Sequence, residues 1–268
     1  MPRYSRSKLA RGSLAFAALL GAFAVALPAH ADGGAPPCKV PADLARLTHP
    51  LTKVSHRLAT GEPITIVAIG SSSTAGAGAS SPAANYPNRL AAELKRHFPR
   101  QAITVINRGV NGEEARDMLA RFDQSVFPEK PDLVLWQVGT NSVLRDHPLS
   151  PHGAIIREGV GRLKTLGADV VLIDPQFAPK VIAKPDAEGM VRLISAAAKQ
   201  ENVDLFQRFA LMRKWREAEG ISFETFISSD GLHMNDWSYG CLAKALGVAI
   251  AEAATRPVAS ALAGSQPR

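Results

Sequence analysis

Two short stretches far apart in the 268-residue chain carry residue types that together can move a proton and form a bond. Gly70-Ser71-Ser72-Ser73-Thr74 places three consecutive hydroxyls directly behind the apolar run from Ile64 to Ile69. Asp230-Gly231-Leu232-His233 sets a carboxylate three residues before an imidazole. In that spacing the carboxylate can accept from Nδ1–H, fix the tautomer, and stabilise the imidazolium formed when Nε2 takes a proton. Two further segments offer neutral donors. Asn107-Arg108-Gly109-Val110-Asn111-Gly112-Glu113 contains glycines that let a backbone N–H face a ligand at close range, and Gly139-Thr140-Asn141 supplies a side-chain amide. Each is also what an ordinary Ser/Gly loop, a turn, an Asx-type cap or a surface histidine supplies, so none decides the matter alone.

What these segments share is their place behind strands. Ile64 to Ile69, Ile103 to Asn107, Leu133 to Val138, Val170 to Ile173 and Val203 to Phe206 read as strands, the third nearly all apolar and therefore central. Between them, apolar stripes predict helices over Asn88 to Phe98 and Glu113 to Phe122, around Ile156, Val160 and Leu163, and around Met190 and Ile194. Leu242, Leu246, Ile250 and Ala253 mark a closing helix, and Ala42 to Leu58 reads as one or two short helices interrupted at Pro50. This alternation implies a parallel sheet with helices on both faces. Such folds react at the carboxyl ends of their strands, here directly after Ile69, Asn107, Val138 and Ile173, with Gly70 expected to allow the first sharp turn.

Other conspicuous residues are less informative. Lys95-Arg96-His97 and Arg213-Lys214-Trp215-Arg216 read as solvated helix faces, and Trp136 as core. Trp237 and Tyr239 fit either a pocket lining or packing under the last helix. Pro175, Gln176 and Phe177 border the sheet edge for topological reasons only, and Asp236 is a second, weaker candidate to orient His233.

The first thirty-one residues are expected to be a secretory signal. Arg3, Arg6, Lys8 and Arg11 precede an apolar stretch from Leu14 to Leu27, and Ala29-His30-Ala31 is a small-x-small cleavage pattern. The apolar stretch falls short of the roughly 20 residues that span a bilayer, so no stable membrane anchor is expected. Four of the 31 basic residues lie there and none of the 24 acidic ones, so cleavage lowers the net charge from +7 to +3. No nucleic-acid footprint remains. Residues 32–41 are expected to form a flexible Gly/Pro-rich lead-in, 42–255 a single domain, and 256–268 a disordered tail. In an oxidising compartment Cys38 and Cys241, the two cysteines, could pair and tie the N-terminal arm to the last helix.

Taken jointly and in order, the serine after the first strand, the glycine after the second, Gly-x-Asn after the third and Asp-x-x-His before the last helix resemble the SGNH, or GDSL-type, esterase and lipase family. The likeness runs from about Ile64 to the closing helix. It implies a flavodoxin-like three-layer α/β/α sandwich around a mostly five-stranded parallel sheet, and hydrolysis of carboxylic esters without metal or cofactor. By the same resemblance Ser72 is the nucleophile, His233 the general base and Asp230 its orienting partner. The oxyanion hole would be the backbone N–H groups of Ser72 and Gly112 with the side-chain amide of Asn141. Ser71 and Ser142 depart from the family's usual aspartates, which implies altered loop hydrogen bonding. Three adjacent serines leave Ser71 and Ser73 as alternatives in register.

Competing readings fail on particular residues. A dinucleotide fingerprint after the first strand breaks at Ser81, where Gly or Ala is needed, and at Pro82 and Pro87. The Gly-Lys-Ser/Thr phosphate loop, the Gly-x-Ser-x-Gly elbow and His-Glu-x-x-His are absent. What remains is an esterase acting on a small-molecule or glycan ester, an acyltransferase using the same site, or a non-catalytic glycan- or lipid-binding relative.

Overall fold

In a computed structural model, β1 (Ile64–Gly70), β2 (Ile103–Gly109), β3 (Leu133–Gln137), β4 (Asp169–Ile173) and β5 (Asp204–Phe206) form one sheet. Their order is β2-β1-β3-β4-β5 and every neighbouring pair is parallel. The structure describes residues 1–2 and 35–257; the rest of the expected signal segment and the tail from residue 258 lie outside the described residues. All of β3, and all of β1 except Thr65, is buried, which is why both read as near-continuous apolar runs. Each such Val, Leu or Ile side chain contributes about 1.5–3 kcal/mol by leaving water. β2 is an edge strand with no fully buried residue, and it is there that the strand sequence admits Thr104, Asn107 and Arg108.

The helices are α1 (Thr52–Thr60), α2 (Ser72–Ala75), α3 (Tyr86–His97), α4 (Ala115–Ala120), α5 (Phe122–Ser125), α6 (Thr140–Leu144), α7 (His152–Lys164), α8 (Pro179–Ile182), α9 (Ala187–Gln200), α10 (Arg208–Glu217), α11 (Phe223–Phe226) and α12 (Asp236–Thr255). The chain steps one way from β1 to β2 and the other way from β2 past β1 to β3, β4 and β5. With right-handed crossovers, this reversal puts α3 on one face and α4, α7 and α9 on the other. α12 and α1 join the α3 layer. The reversal also opens a crevice between the carboxyl ends of β1 and β3, the place where α/β sheets bind ligands.

Three local expectations need correction. The stretch before Pro50 forms turns only, leaving α1 as a single helix. The helix expected over Glu113 to Phe122 starts later, with Glu114 as its N-cap in a capping box with Asp117, and breaks at Arg121 into α4 and α5. The basic cluster on α10 is not a solvated face throughout. Trp215 is buried edge-on against Trp237 at 5.1 Å, and Arg213 lies over the rings of Phe209 and Phe177. Trp136 is core, with its Nε1–H directed at Met118 Sδ 3.2 Å away. Of the two open readings for Trp237 and Tyr239, packing holds: Trp237 Nε1 donates to the Pro36 carbonyl (2.8 Å), and the buried Tyr239 hydroxyl donates to that of Ala77 (2.7 Å).

Cys38 and Cys241 are bridged, with Cα atoms 5.6 Å apart. Arg256 adds bonds from Nη1 to the Thr48 carbonyl and from Nη2 to that of Leu47, both 2.8 Å, so the N-terminal arm is fastened along α12. The bridge joins residues 203 apart in sequence and so restricts the unfolded chain strongly. Replacing both cysteines by serine is expected to lower unfolding free energy by about 2–5 kcal/mol, read from urea denaturation. Intact mass of the wild type should rise by about two daltons on reduction; an unchanged mass would mean the bridge does not form.

Candidate active site

The first strand delivers its hydroxyls through a turn that leaves no room for a side chain. A Cβ on Gly70 would collide with Thr74 Oγ1 and the Gln137 side chain, so the glycine is required for close approach rather than for a positive φ. The Ser71 carbonyl then accepts from the N–H groups of Thr74 (3.0 Å) and Ala75 (2.9 Å), which closes the single turn of α2.

The three serines go different ways. Ser71 points inward, its N–H and hydroxyl both donating to Gln137 Oε1 at 2.8 and 3.0 Å. Ser73 is buried too, 3.2 Å from the same oxygen. Ser72, half-buried, places its Oγ 2.9 Å from His233 Nε2.

His233 is held by its own short loop between α11 and α12. Its carbonyl accepts from Ser228 N–H (2.8 Å), and next to it Ile227 and Met234 form an antiparallel bridge. Asp230 Oδ1 accepts from the N–H groups of Leu232 and His233, both 2.9 Å, and from the Ser228 hydroxyl at 2.8 Å. Its Oδ2 pairs with His233 Nδ1. Partial burial pushes the Asp230 carboxyl up, but the His233 side chain and these other donors outweigh it and hold the group well below the usual carboxylate range. Asp230 is therefore ionised wherever the imidazole could need it. Asp236 is turned elsewhere, accepting from Ser80 N–H at 2.8 Å.

The donor segments meet around Glu114. Gly112 has φ +80°, a left-handed conformation that glycine adopts without steric cost, and its carbonyl accepts from Arg145 Nη2 at 2.7 Å. Asn141 Nδ2 donates one hydrogen to the Glu113 carbonyl (2.8 Å), leaving the other free to serve a ligand. Ser142 donates to Glu114 Oε2 at 2.8 Å, and Arg145 and His147 reach the same carboxylate. At the two positions where the resemblance expects aspartate, the serine hydroxyls thus serve Gln137 and Glu114, as loop hydrogen bonds.

A cavity of about 420 Å³ between α9 and α10 has Asp174 in its wall but neither Ser72 nor His233. Among the described residues no group of three or more His, Cys, Asp or Glu is placed to hold a metal ion, and no helix is long and apolar enough to cross a membrane.

Behind the site lies a set of groups that sequence reading missed. Asp174, after β4, is buried, and burial pushes its carboxyl up to about 7 against the pull of the Phe209 N–H and the Arg208 charge. A carboxyl held protonated in the folded state, against about 3.9 unfolded, stabilises most below the unfolded value and loses that contribution as pH rises toward 7. Melting temperature should therefore carry a component that falls between about pH 4 and 7. Asp174→Asn should abolish this component; an identical slope in the variant would contradict it. Arg208, the first residue of α10, is completely buried beside Ser73. Applying to the fifth strand the edge rule that singled out the other four would have pointed to Gln207 and Arg208.

Comparison with known proteins adds a consistent set of relatives. A model of the non-GDSL lipase-like family matches residues 37–256. An acetylxylan esterase from Geobacillus stearothermophilus is 30% identical over 94 residues, covering 31% of this chain and 43% of that protein. An arylesterase from Vibrio mimicus is 27% identical over 149 residues, covering 56% and 70%. Among solved structures, a two-domain esterase active on acetylated mannans superposes with TM-score 0.69 at 19% identity, over 84% of this chain and 59% of that one. The Geobacillus acetylxylan esterase structure gives 0.58 at 21%, over 69% and 94%. This chain therefore spans less than half of the first curated relative and about three fifths of the two-domain esterase. At these identities the structures establish a shared fold.

Proposed function

The chain belongs to the non-GDSL lipase-like family, and from that premise we propose that it hydrolyses carboxylic esters through an acyl-enzyme on Ser72, with acyl groups on glycans as the substrate class. The observation that carries this reading is the line from Asp230 through His233 Nδ1 and Nε2 to Ser72 Oγ, the last step 2.9 Å. Ser72 Oγ attacks the ester carbonyl carbon as its proton passes to His233 Nε2. The carbonyl oxygen takes the negative charge among the Ser72 and Gly112 N–H groups and the Asn141 amide. Collapse breaks the bond to the alcohol oxygen, which leaves with the proton from His233. Water, deprotonated by the same nitrogen, then attacks the acyl carbon and frees the acid and Ser72.

The glycan part rests on two supports. Relatives named for acetylated xylan and acetylated mannans suit such esters, and Ser72 and His233, each only half-buried at the strand ends, suit a small acyl group carried on a bulky alcohol. Export is part of the same reading. It is supported by the basic-then-apolar leader with its Ala29-His30-Ala31 end and by the Cys38–Cys241 bridge, a bond that oxidising compartments maintain. Hydrolysis rates on p-nitrophenyl esters of graded chain length, beside acetylated xylan and mannan, test it. Highest kcat/KM on acetyl, with acetate released from the glycans, is expected. Fastest turnover of long chains, or no acetate from any glycan, would overturn the substrate class.

A further inference from the structure

The segments that bear the candidate site are tied together from behind by one buried cation. Arg208 is 0% exposed, a burial arginine tolerates only when its donors are engaged. Nε donates to the Asp174 carbonyl (2.9 Å), Nη1 to Ser73 Oγ (2.8 Å) and Nη2 to Gln176 Oε1 (3.0 Å). Gln176, itself buried, accepts from Thr140 Oγ1 (3.0 Å) and donates to the Leu232 carbonyl (3.4 Å). Ser73, Thr140 and Leu232 are the chain neighbours of Ser72, Asn141 and His233. Because Ser73 Oγ accepts from the guanidinium, its own hydrogen is free for Gln137 Oε1, the oxygen that also fixes Ser71. A rigid planar fork therefore sets the register of three loops that sequence places far apart.

The arrangement is costly. Among the described residues the ionisable groups facing Arg208 are Asp174, Tyr86 and Tyr239, and its bond to Asp174 is to the main-chain carbonyl rather than the carboxylate. Burial pushes the Tyr86 hydroxyl up to about 12 and that of Tyr239 up as well, so neither supplies a negative charge near neutrality. An apolar side chain of similar volume would fill the same space without the desolvation cost of the charge. What it could not do is orient three acceptors at once.

We propose that Arg208, with Gln176 as its relay, is a positioning residue of the ester-cleaving site, holding Ser72, Asn141 and His233 in the mutual geometry that turnover needs. This rests on the hydrolase reading above. Misplacement of reacting groups by about 1 Å can cost on the order of 100-fold in rate while leaving ground-state binding in place.

The test uses two variants. Gln176→Met keeps the volume and removes all three side-chain bonds of the relay, to Arg208, Thr140 and Leu232; Arg208→Lys keeps the charge and loses the fork. The readouts are kcat and KM for p-nitrophenyl acetate, each normalised to the fraction of Ser72 titrated by a fluorophosphonate, beside the melting temperature. In each folded variant kcat should fall about 10- to 100-fold with KM little changed. A folded Gln176→Met protein with wild-type kcat, or with its loss confined to KM, overturns the proposal, and that variant decides alone should Arg208→Lys fail to fold. Wild type and Ser72→Ala run alongside. If wild type does not turn over the ester, or Ser72→Ala matches it, the hydrolase reading fails. If wild type is active, Ser72→Ala inactive and Gln176→Met unimpaired, only the positioning role fails.

Discussion

Ser72→Ala is expected to lower ester turnover by on the order of 10⁶-fold, the scale seen when a serine nucleophile is removed and only binding and oxyanion donors remain. Its neighbours cannot take over. Ser71 and Ser73 are buried with their hydroxyls committed to Gln137, whereas Ser72 Oγ alone of the three stands 2.9 Å from His233 Nε2. Losing one half-buried hydroxyl leaves no cavity of consequence, so stability should stay within about 0.5 kcal/mol. Paired measurements of kcat/KM on p-nitrophenyl acetate and of thermal melting check both halves. Wild-type turnover in the variant would remove Ser72 from the chemistry.

The second large effect is expected at Asp230. Asp230→Asn should cost about 10⁴-fold in kcat, because the variant changes the tautomer of His233 rather than its position. Oδ1 already accepts from two backbone N–H groups and the Ser228 hydroxyl, so an asparagine will keep its carbonyl oxygen there. Its NH₂ must then face His233 Nδ1, where the carboxylate Oδ2 now lies. Donor would meet donor, so Nδ1 must give up its hydrogen and Nε2 must carry it. A protonated neutral Nε2 cannot accept from Ser72. Ordinary kcat in Asp230→Asn, or a proton on Nδ1 of its His233 by NMR, would contradict the account.

Much of the fold was legible because parallel strands buried on both faces leave a plain trace in sequence. Ile64 to Ile69 and Leu133 to Val138 are apolar almost without interruption, and they flank the crevice where the sheet reverses direction. The segments after those strands could thus be singled out before any contact was known. Shorter elements left no trace. α2, α6 and α8 run for four or five residues, too few for a periodic stripe, and all three lie at the sheet's reacting edge. Arg208 was passed over for another reason. It stands just behind the fifth strand, where the edge rule was not applied, and only tertiary packing against Asp174, Gln176 and Ser73 shows what the buried cation does. Glu114 was hidden likewise inside an expected helix, although it caps α4 and gathers Ser142, Arg145 and His147.

The distance along the chain between the paired hydroxyl and imidazole, 161 residues, bears on how the protein is made. A ribosome that has delivered everything through the fifth strand has released Ser72, Gly112 and Asn141, but not His233. The imidazole arrives late, and the cysteine that locks its helix to the amino-terminal arm arrives later still. On the proposed mechanism, polypeptides that end before His233 should be inert toward esters.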